Sequence, residues 1–242
     1  EILRCLVGSE MCIRDSIKKA YESRDPRLQM AVITPYAQYN GASSGIAHTY
    51  TLRWPYRGSD SAEPFDIRTD TNDKFYYLWR KFVPEGLEQT ERDTYGLDIP
   101  LIRYAEVLLL KAEALNEWGS THESEAIRCV NEVRRRAGHV ELNNATYPAT
   151  KVNGQSDLRE RIRNEYYWEI GGEDSMYFHE LRWGTWKDKK FDNNRNGLMQ
   201  MWGETTYTWY WLGDQCWSWP IPAKEMEMNS NLEQNEGCLL YT

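Results

Sequence analysis

No apolar run in this 242-residue chain reaches the ~18 residues that a membrane-crossing helix requires. A surplus of basic charge is missing too: 29 Lys and Arg stand against 37 Asp and Glu, a net charge of −8. Nucleic-acid binding needs clustered cations to neutralise phosphates. The one basic run, Arg134-Arg135-Arg136, falls where it closes a helix and suits the helix dipole, so no nucleic-acid partner is expected. Histidine is scarce, and His48, His122, His139 and His179 share no ligand spacing, which argues against zinc. The five cysteines include no CxxC pair and imply neither a disulfide framework nor a metal site. Asp66, Asp70, Asn72 and Asp73 offer the oxygens calcium takes, but their spacing is not that of an EF-hand and its glycine is absent. Nothing in the sequence asks for a cofactor.

The two ends differ in character from the rest. Arg4–Ser16, RCLVGSEMCIRDS, resembles the translation of a sequencing-adapter remnant, and Cys238–Thr242, CLLYT, resembles the opposite adapter end. Residues 1–16 and 238–242 are therefore expected to be non-native, and residues 17–237 to be the C-terminal part of a longer protein. Of the cysteines, Cys129 and Cys216 then remain. Cys129 falls mid-helix and is expected to be a small buried apolar residue.

What is abundant is aromatic: 11 Trp, 16 Tyr and 5 Phe. Rings fill cores, and their faces also stack on the C–H face of a pyranose; composition alone does not separate the two uses.

Residues 100–138 carry the clearest periodicity. Leu101, Ile102, Tyr104, Ala105, Val107, Leu108, Leu109, Ala112 and Leu115 leave only a narrow polar stripe at Arg103, Glu106, Glu113 and Glu117. A helix of this kind must be packed on at least two sides. Gly119 is expected to end it in the left-handed conformation, and Ser120 with Glu123 has capping-box spacing. A second helix shows Ala126, Ile127, Val130, Val133 and Ala137 at helical intervals, closed by Gly138. Such a hairpin is the unit of an αα-repeat scaffold. Further helices are expected at Ser156–Ile170, broken by Gly171-Gly172, and at Asp174–Trp183, with Tyr177, Phe178 and Leu181 on one face. Residues 30–56 read as short strands broken at Pro35, Asn40-Gly41 and Ser43-Ser44-Gly45. Residues 57–73 read as polar loop and Lys74–Lys81 as a short strand or helix. Residues 187–219 read as irregular, and Pro222 suits a helix start. The fold class expected is mainly α: a TPR-like αα-hairpin repeat scaffold with long irregular aromatic-rich loops and a few short strands.

Several segments together resemble the SusD/RagB family of glycan-binding outer-membrane lipoproteins of Bacteroidetes. RYAEVLLLKAEALNE followed by VNEVRRRAG is similar to its helical repeats, and Arg24-Asp25-Pro26-Arg27-Leu28 to its RDPRL turn. Glu165–Gly184 resembles its helix-turn-helix block, and Pro220-Ile221-Pro222 with Gln234-Asn235-Glu236-Gly237 its closing motif. Within the block, Tyr166 and Tyr167 stand where the family commonly has arginines, and Asp174, Met176 and His179 replace its usual glycine, arginine and aspartate. The resemblance implies capture of an oligosaccharide or polysaccharide at the cell surface and its delivery to a SusC-like TonB-dependent transporter, with no catalysis. It also implies location on the extracellular face of the outer membrane, held by a lipid anchor upstream of this chain.

Gly41-Ala42-Ser43-Ser44-Gly45 fits the G-x-S-x-G pattern, with His48 nearby, but lacks the helix that follows a nucleophile elbow. Glu165, Glu169, Glu173 and Asp174 offer the carboxyl pair of a glycoside hydrolase; Arg161, Arg163 and Arg182 are at hand to pair with them, and the resemblance implies a structural role for these acids. The candidate ligand-binding set is Tyr36, Tyr39, Tyr50, Arg53, Trp54, Tyr56 and Arg57. There rings sit among polar groups that bond hydroxyls, on loops beside a scaffold. A second ring cluster, Trp202, Tyr207, Trp209, Tyr210 and Trp211, reads as core or as a contact with the transporter. The alternatives are a generic TPR-like protein-binding scaffold and the glycoside hydrolase.

Overall fold

The computed structural model describes residues 19–21, 24–43, 45–53, 66–68, 78–86, 96, 98–173, 175–187, 217–218 and 220–235. The chain divides into two compact units, Glu1–Glu173 and Asp174–Thr242. The fold is mainly helical with short strands, as the sequence pattern predicts.

In the first unit, α1 (Arg27–Ala31) leads directly into β1 (Val32–Ile33), which pairs antiparallel with β5 (Leu78–Trp79). β2 (Gln38–Ser43) and β3 (Ile46–Arg53) form an antiparallel hairpin running from Gln38↔Thr51 to Ser43↔Ile46. β4 (Asp66–Arg68) adds to β3 in parallel, in a stretch expected to be loop. Asn40-Gly41 is not a break but lies within β2; the turn comes at Gly45, whose φ of +76° glycine tolerates without a Cβ penalty. Because paired residues share a sheet face, Tyr39 and Tyr50 point the same way. With Ile33 and Leu52 they build a small core, joined by Ala37 and Leu78.

The helical hairpin is α2 (Tyr104–Trp118) and α3 (Glu123–Arg136), and α4 (Gln155–Ile170) follows. α2 packs against both α3 and α4, which meets the two-sided burial its pattern demands. Leu109 and Ala112 of α2, Val130 and Cys129 of α3, and Leu158, Ile162 and Tyr166 of α4 are fully or almost fully enclosed. The polar stripe read from the sequence is nevertheless not the exposed one. Glu106 is buried, whereas Tyr104, Val107, Leu110 and Trp118 are exposed.

The caps differ in detail from expectation. Gly119 does end α2, but at φ +138°, ψ 171°, an extended conformation open to glycine rather than the left-handed helical one. Ser120 opens a 3₁₀ turn, Ser120–His122, and makes no side-chain cap to α3. Gly138 closes α3 as expected, at φ +70°. Its N–H bonds the Arg135 carbonyl at 3.1 Å and the His139 N–H reaches the Arg134 carbonyl at 2.8 Å, the pair of bonds of a Schellman motif. α4 is capped by Gly154 rather than Ser156, and the Asp157 carboxylate reaches back to the Asn153 N–H at 2.8 Å.

In the second unit, α5 (Ser175–Arg182) buries His179 and Glu180 and leaves Phe178 65% exposed, so its inner face is not the aromatic one the spacing suggests. α6 (Ala223–Met228) follows Pro222. The Gln234 side chain accepts the Ile221 N–H at 2.8 Å and donates to the Ile221 carbonyl at 2.9 Å.

Candidate functional site

Of the ring-bearing candidates, the structure separates Tyr36 from its neighbours. Tyr39 is 4% exposed and its hydroxyl donates to the Pro84 carbonyl at 2.8 Å, so its ring is a core element with no face for a ligand. Tyr50 is half-buried on the same core and meets His48 edge-on at 6.3 Å between centroids. Arg53 ends β3 opposite Arg68. Trp54, Tyr56 and Arg57, like the ring cluster at 202–211, lie outside the described residues.

Tyr36 lines a cleft of about 560 Å³ together with Gln29, Val32, Ala37, Gln38, Thr51 and Arg80. It has φ +62°, unusual for a bulky side chain. Three backbone bonds hold the turn: Tyr36 N–H to Leu52 O at 2.6 Å, Leu52 N–H to Ala37 O at 3.0 Å and Ala37 N–H to Thr34 O at 2.9 Å. Gln38 and Thr51 are cross-strand partners on the sheet face opposite Tyr39. Arg80 follows β5 and joins three segments. Its Nε and Nη2 donate to the Glu85 carboxylate at 2.5 and 3.1 Å, and its Nη1 to the Gln29 carbonyl at 3.3 Å. Glu85 also accepts the Asn40 N–H at 3.4 Å. Strand alternation could have grouped Gln38 with Thr51. No local signal could have brought Gln29 or Arg80 to them, since they come from separate segments.

Of the carboxylates offered as a hydrolase pair, Asp174 lies outside the described residues, and Glu165, Glu169 and Glu173 are engaged by cations. Glu165 and Glu169 share one face of α4, and Glu173 comes round the Gly171-Gly172 turn, where its N–H bonds the Ile170 carbonyl at 2.9 Å. Arg27 donates to Asp25 through Nε at 3.0 Å and Nη2 at 2.6 Å, and to Glu169 at 3.0 Å. Its Nη2 also lies 2.7 Å from Oε1 of Glu165, a charge contact without hydrogen-bond geometry. Arg134 donates to the other Glu165 oxygen at 3.1 Å. Arg103 spans Glu169 at 3.0 Å and Glu173 at 2.7 Å, Arg136 joins Glu169, and Lys81 meets Glu173 at 2.5 Å. Lys81 and Arg103 also donate to the Glu169 carbonyl, each at 3.0 Å, which satisfies an orphan acceptor at the C-terminus of α4 where cations suit the dipole. Of the expected partners, Arg161 bonds Asp157, Arg163 bonds Glu160 and Arg182 contacts His179.

Burial pushes the Glu165 carboxyl above its ordinary value, and Arg27 and Arg134 offset that only in part. Burial acts likewise on Glu169 and Glu173, but there the cation hydrogen bonds outweigh it and both are held low. Burial opposes the Arg27 charge, yet Asp25, Glu165 and Glu169 together stabilise it. This arrangement is an internal lock, and Glu165, Glu169 and Glu173 do not face one another across an open cleft. G-x-S-x-G also loses its context: Gly41 pairs with His48 inside the hairpin, and a strand, not a helix, follows.

The lock is built from the segments that carry the family resemblance: the RDPRL turn, the start of α2, the RRR end of α3 and the acids of α4. A family model described as the SusD family matches residues 8–237. The chain belongs to the SusD family. The match takes in residues 8–16, part of the segment expected to be foreign, and stops at 237. The SusD-like protein P38 of Formosa agariphila is 32% identical over 57% of this chain and 24% of its own length. The starch-binding protein SusD of Bacteroides thetaiotaomicron is 28% identical over 66% of this chain and 25% of its own length. The chain thus spans about a quarter of the curated relatives it matches. Among solved structures, a SusD-like protein from Bacteroides fragilis has TM-score 0.58 at 22% identity, covering 91% of this chain and 40% of that one. A SusD superfamily protein from Bacteroides vulgatus has TM-score 0.51 at 20% identity, over 88% and 40%. These two speak for the SusD fold. Tyr166, which takes a position where arginine is common in the family, is fully buried in the helical core. The cations of the lock come instead from α1, α3, the residue before α2 and, as Lys81, the segment after β5.

Proposed function

We propose that this chain is part of a cell-surface protein that binds oligosaccharides or polysaccharides and hands them to a SusC-like TonB-dependent transporter without breaking a bond. Membership of the SusD family carries this reading, and one matched relative is named for starch binding. The cleft beside the β2–β3 hairpin supports it, because it combines one aromatic ring with amide, hydroxyl and guanidinium groups, the mixture that recognises a polyol. Trp54, Tyr56 and Arg57 follow β3 directly in sequence and extend the same candidate set. No described helix is long and apolar enough to cross a bilayer. The buried ion-pair lock supports a binding role, since its acids are engaged by cations rather than poised for proton transfer.

The test is a glycan array followed by titration of the best binder against wild type, Tyr36→Ala and Trp54→Ala. Loss of a stacked ring should weaken binding by roughly tenfold, about 1.4 kcal/mol. Undiminished affinity in both variants removes the site, and release of reducing ends on prolonged incubation removes the non-catalytic reading.

A further inference from the structure

Gln29, Val32 and Arg80 reach the cleft from outside the β2–β3 hairpin, and Gln29 and Arg80 stand 51 positions apart in the chain. The two segments that carry them meet in the β1–β5 pairing, whose strands have two residues each. Strands so short are a weak tie by themselves. The Arg80 and Lys81 N–H groups add bonds to the Ala31 carbonyl at 2.9 and 3.2 Å, and the Arg80 guanidinium donates to the Gln29 carbonyl at 3.3 Å. Both segments are also gripped by the C-terminal end of α4, and by one residue of it. Arg27, two residues before Gln29, donates to the Glu169 carboxylate at 3.0 Å. Lys81, next to Arg80, donates to the Glu169 carbonyl at 3.0 Å, the Gly171 carbonyl at 3.3 Å and the Glu173 carboxylate at 2.5 Å. Three acceptors thus meet the three N–H groups of the ammonium. On the other side of Arg80 in sequence, the Trp79 ring rests on Gly172, where an added Cβ would fall 2.7 Å from a ring carbon. Arg80 is therefore bracketed by two residues seated on the same Gly171-Gly172 turn.

We propose that Lys81 is a positioning residue for the glycan cleft: by seating the end of β5 on the turn after α4, it holds Arg80 against Gln29 and so fixes the cleft. The proposal rests on the glycan-binding reading above. Lys81 does not line the cleft; its side chain is spent on α4 and the turn that follows, and it acts on a bound sugar only through Arg80. A recognition surface is as precise as the groups that support it, and a wall that must be ordered on binding costs affinity. Glu169 joins the two supports, since its carboxylate holds the Arg27 segment and its carbonyl holds Lys81. The acids at the end of α4 thereby serve the cleft from behind, by holding the two segments that carry Gln29 and Arg80 at one spacing.

The experiment measures retention of the chain in native gels containing amylopectin, xyloglucan, galactomannan or polygalacturonate, beside urea unfolding of each variant. The probe is the polysaccharide that retains wild type most, or the best binder of a broad glycan array where none of the four does. Lys81→Met should weaken binding by roughly 2- to 30-fold, the span over which residues off a binding surface shift affinity. Lys81→Arg keeps the cation and its donors and should recover most of that loss. Asn131→Leu is the control for stability: Asn131 holds the loop after α3, so its loss should lower stability and leave binding at the wild-type level. Hydrogen exchange at the Arg80 and Lys81 amides should quicken in Lys81→Met and not in Asn131→Leu. Lys81→Gln, which can reach fewer of the three acceptors, takes the place of Lys81→Met if circular dichroism shows the latter unfolded. Wild-type affinity in the folded Lys81 variant overturns the positioning proposal and leaves the glycan-binding reading standing, as does an equal loss in Asn131→Leu. Absence of wild-type binding to all four polysaccharides and to the array overturns both.

Discussion

Arg27 touches three carboxylates, Asp25, Glu165 and Glu169, while only 9% exposed. At that burial the charge is tolerable only because the pairing is complete. Replacing one member of a buried pair strands the others and costs about 3–5 kcal/mol, so Arg27→Met should lose stability of that order in urea unfolding at pH 7. The penalty should shrink on acidification, as the acids it serves become neutral. The pH dependence of the wild type follows from the same groups. Asp25, Glu169 and Glu173 have folded values below their unfolded ones. Their contribution is therefore full above roughly pH 4–4.5 and is lost as pH falls through the folded values. Glu165 is raised and acts in the opposite sense, contributing on the acid side and losing that contribution as pH rises. His139 is lowered by burial and by Arg134, with Asp25 3.4 Å away acting against them, and adds a loss as pH drops below its ordinary value of ~6.5. Three depressed acids and one depressed histidine against one raised acid predict a net fall in stability on acidification. A rise in stability as pH falls below roughly 4, where Asp25, Glu169 and Glu173 lose their contribution and that of Glu165 is already full, would contradict this account of the lock.

At the scale of elements, amide side chains do what short strands do elsewhere. Asn131 of α3 is buried; its Oδ1 accepts the Leu142 N–H at 2.7 Å and its Nδ2 donates to the Leu142 carbonyl at 3.2 Å. Gln155 and Asn116 exchange side-chain and main-chain bonds in the same fashion, at 2.7 and 3.2 Å, and join the end of α2 to the start of α4. These contacts fix the loop after α3 without regular structure, which is how a polar stretch comes to have Leu142 and Val152 buried in it. Asn131→Leu should leave the Leu142 backbone groups buried and unbonded, at a cost on the order of 1–3 kcal/mol. Denaturant unfolding should report that loss, and the Leu142 amide should exchange faster with solvent. Normal exchange at Leu142 would mean that the loop is held by its apolar contacts alone. Gly172 shows another constraint of this kind: at φ +82° it lies under the Trp79 ring, and an added Cβ would come within 2.7 Å of a ring carbon.

For the molecule as a whole, binding and stability are linked. A glycan that binds the folded chain and not the unfolded one stabilises it by about 2.7 kcal/mol at a hundred times its Kd. For a chain of this size that is a rise in Tm of roughly 2–4 °C per kcal/mol. Thermal unfolding of the wild type with the best array binder should show that shift, and Tyr36→Ala at the same concentration should not. An equal shift in both would place the ligand away from the cleft.

Hydrophobic periodicity was enough to locate the helical hairpin, since a 3.6-residue repeat over fifteen positions has no other good solution. Glycines marked most of the breaks, because positive φ values are costly for other residues. The resemblance to SusD picked out the motif residues and implied a structural role for the acids of α4, but not which cations pair with them. Neighbours along the chain suggested Arg161, Arg163 and Arg182 as partners for the α4 acids. The folded chain supplies Arg27, Arg103, Arg134, Arg136 and Lys81, which reach the same point only after α1, α2, α3 and α4 have packed. In the same way Tyr36, Tyr39 and Tyr50 are alike in sequence, yet strand pairing turns two of them onto a core and leaves one at a cleft with Gln29 and Arg80. Local pattern is a property of a few consecutive residues and survives without the rest of the chain. Charge partners and cleft walls join residues up to 142 positions apart, and only packing decides which of the many possible pairs are within reach.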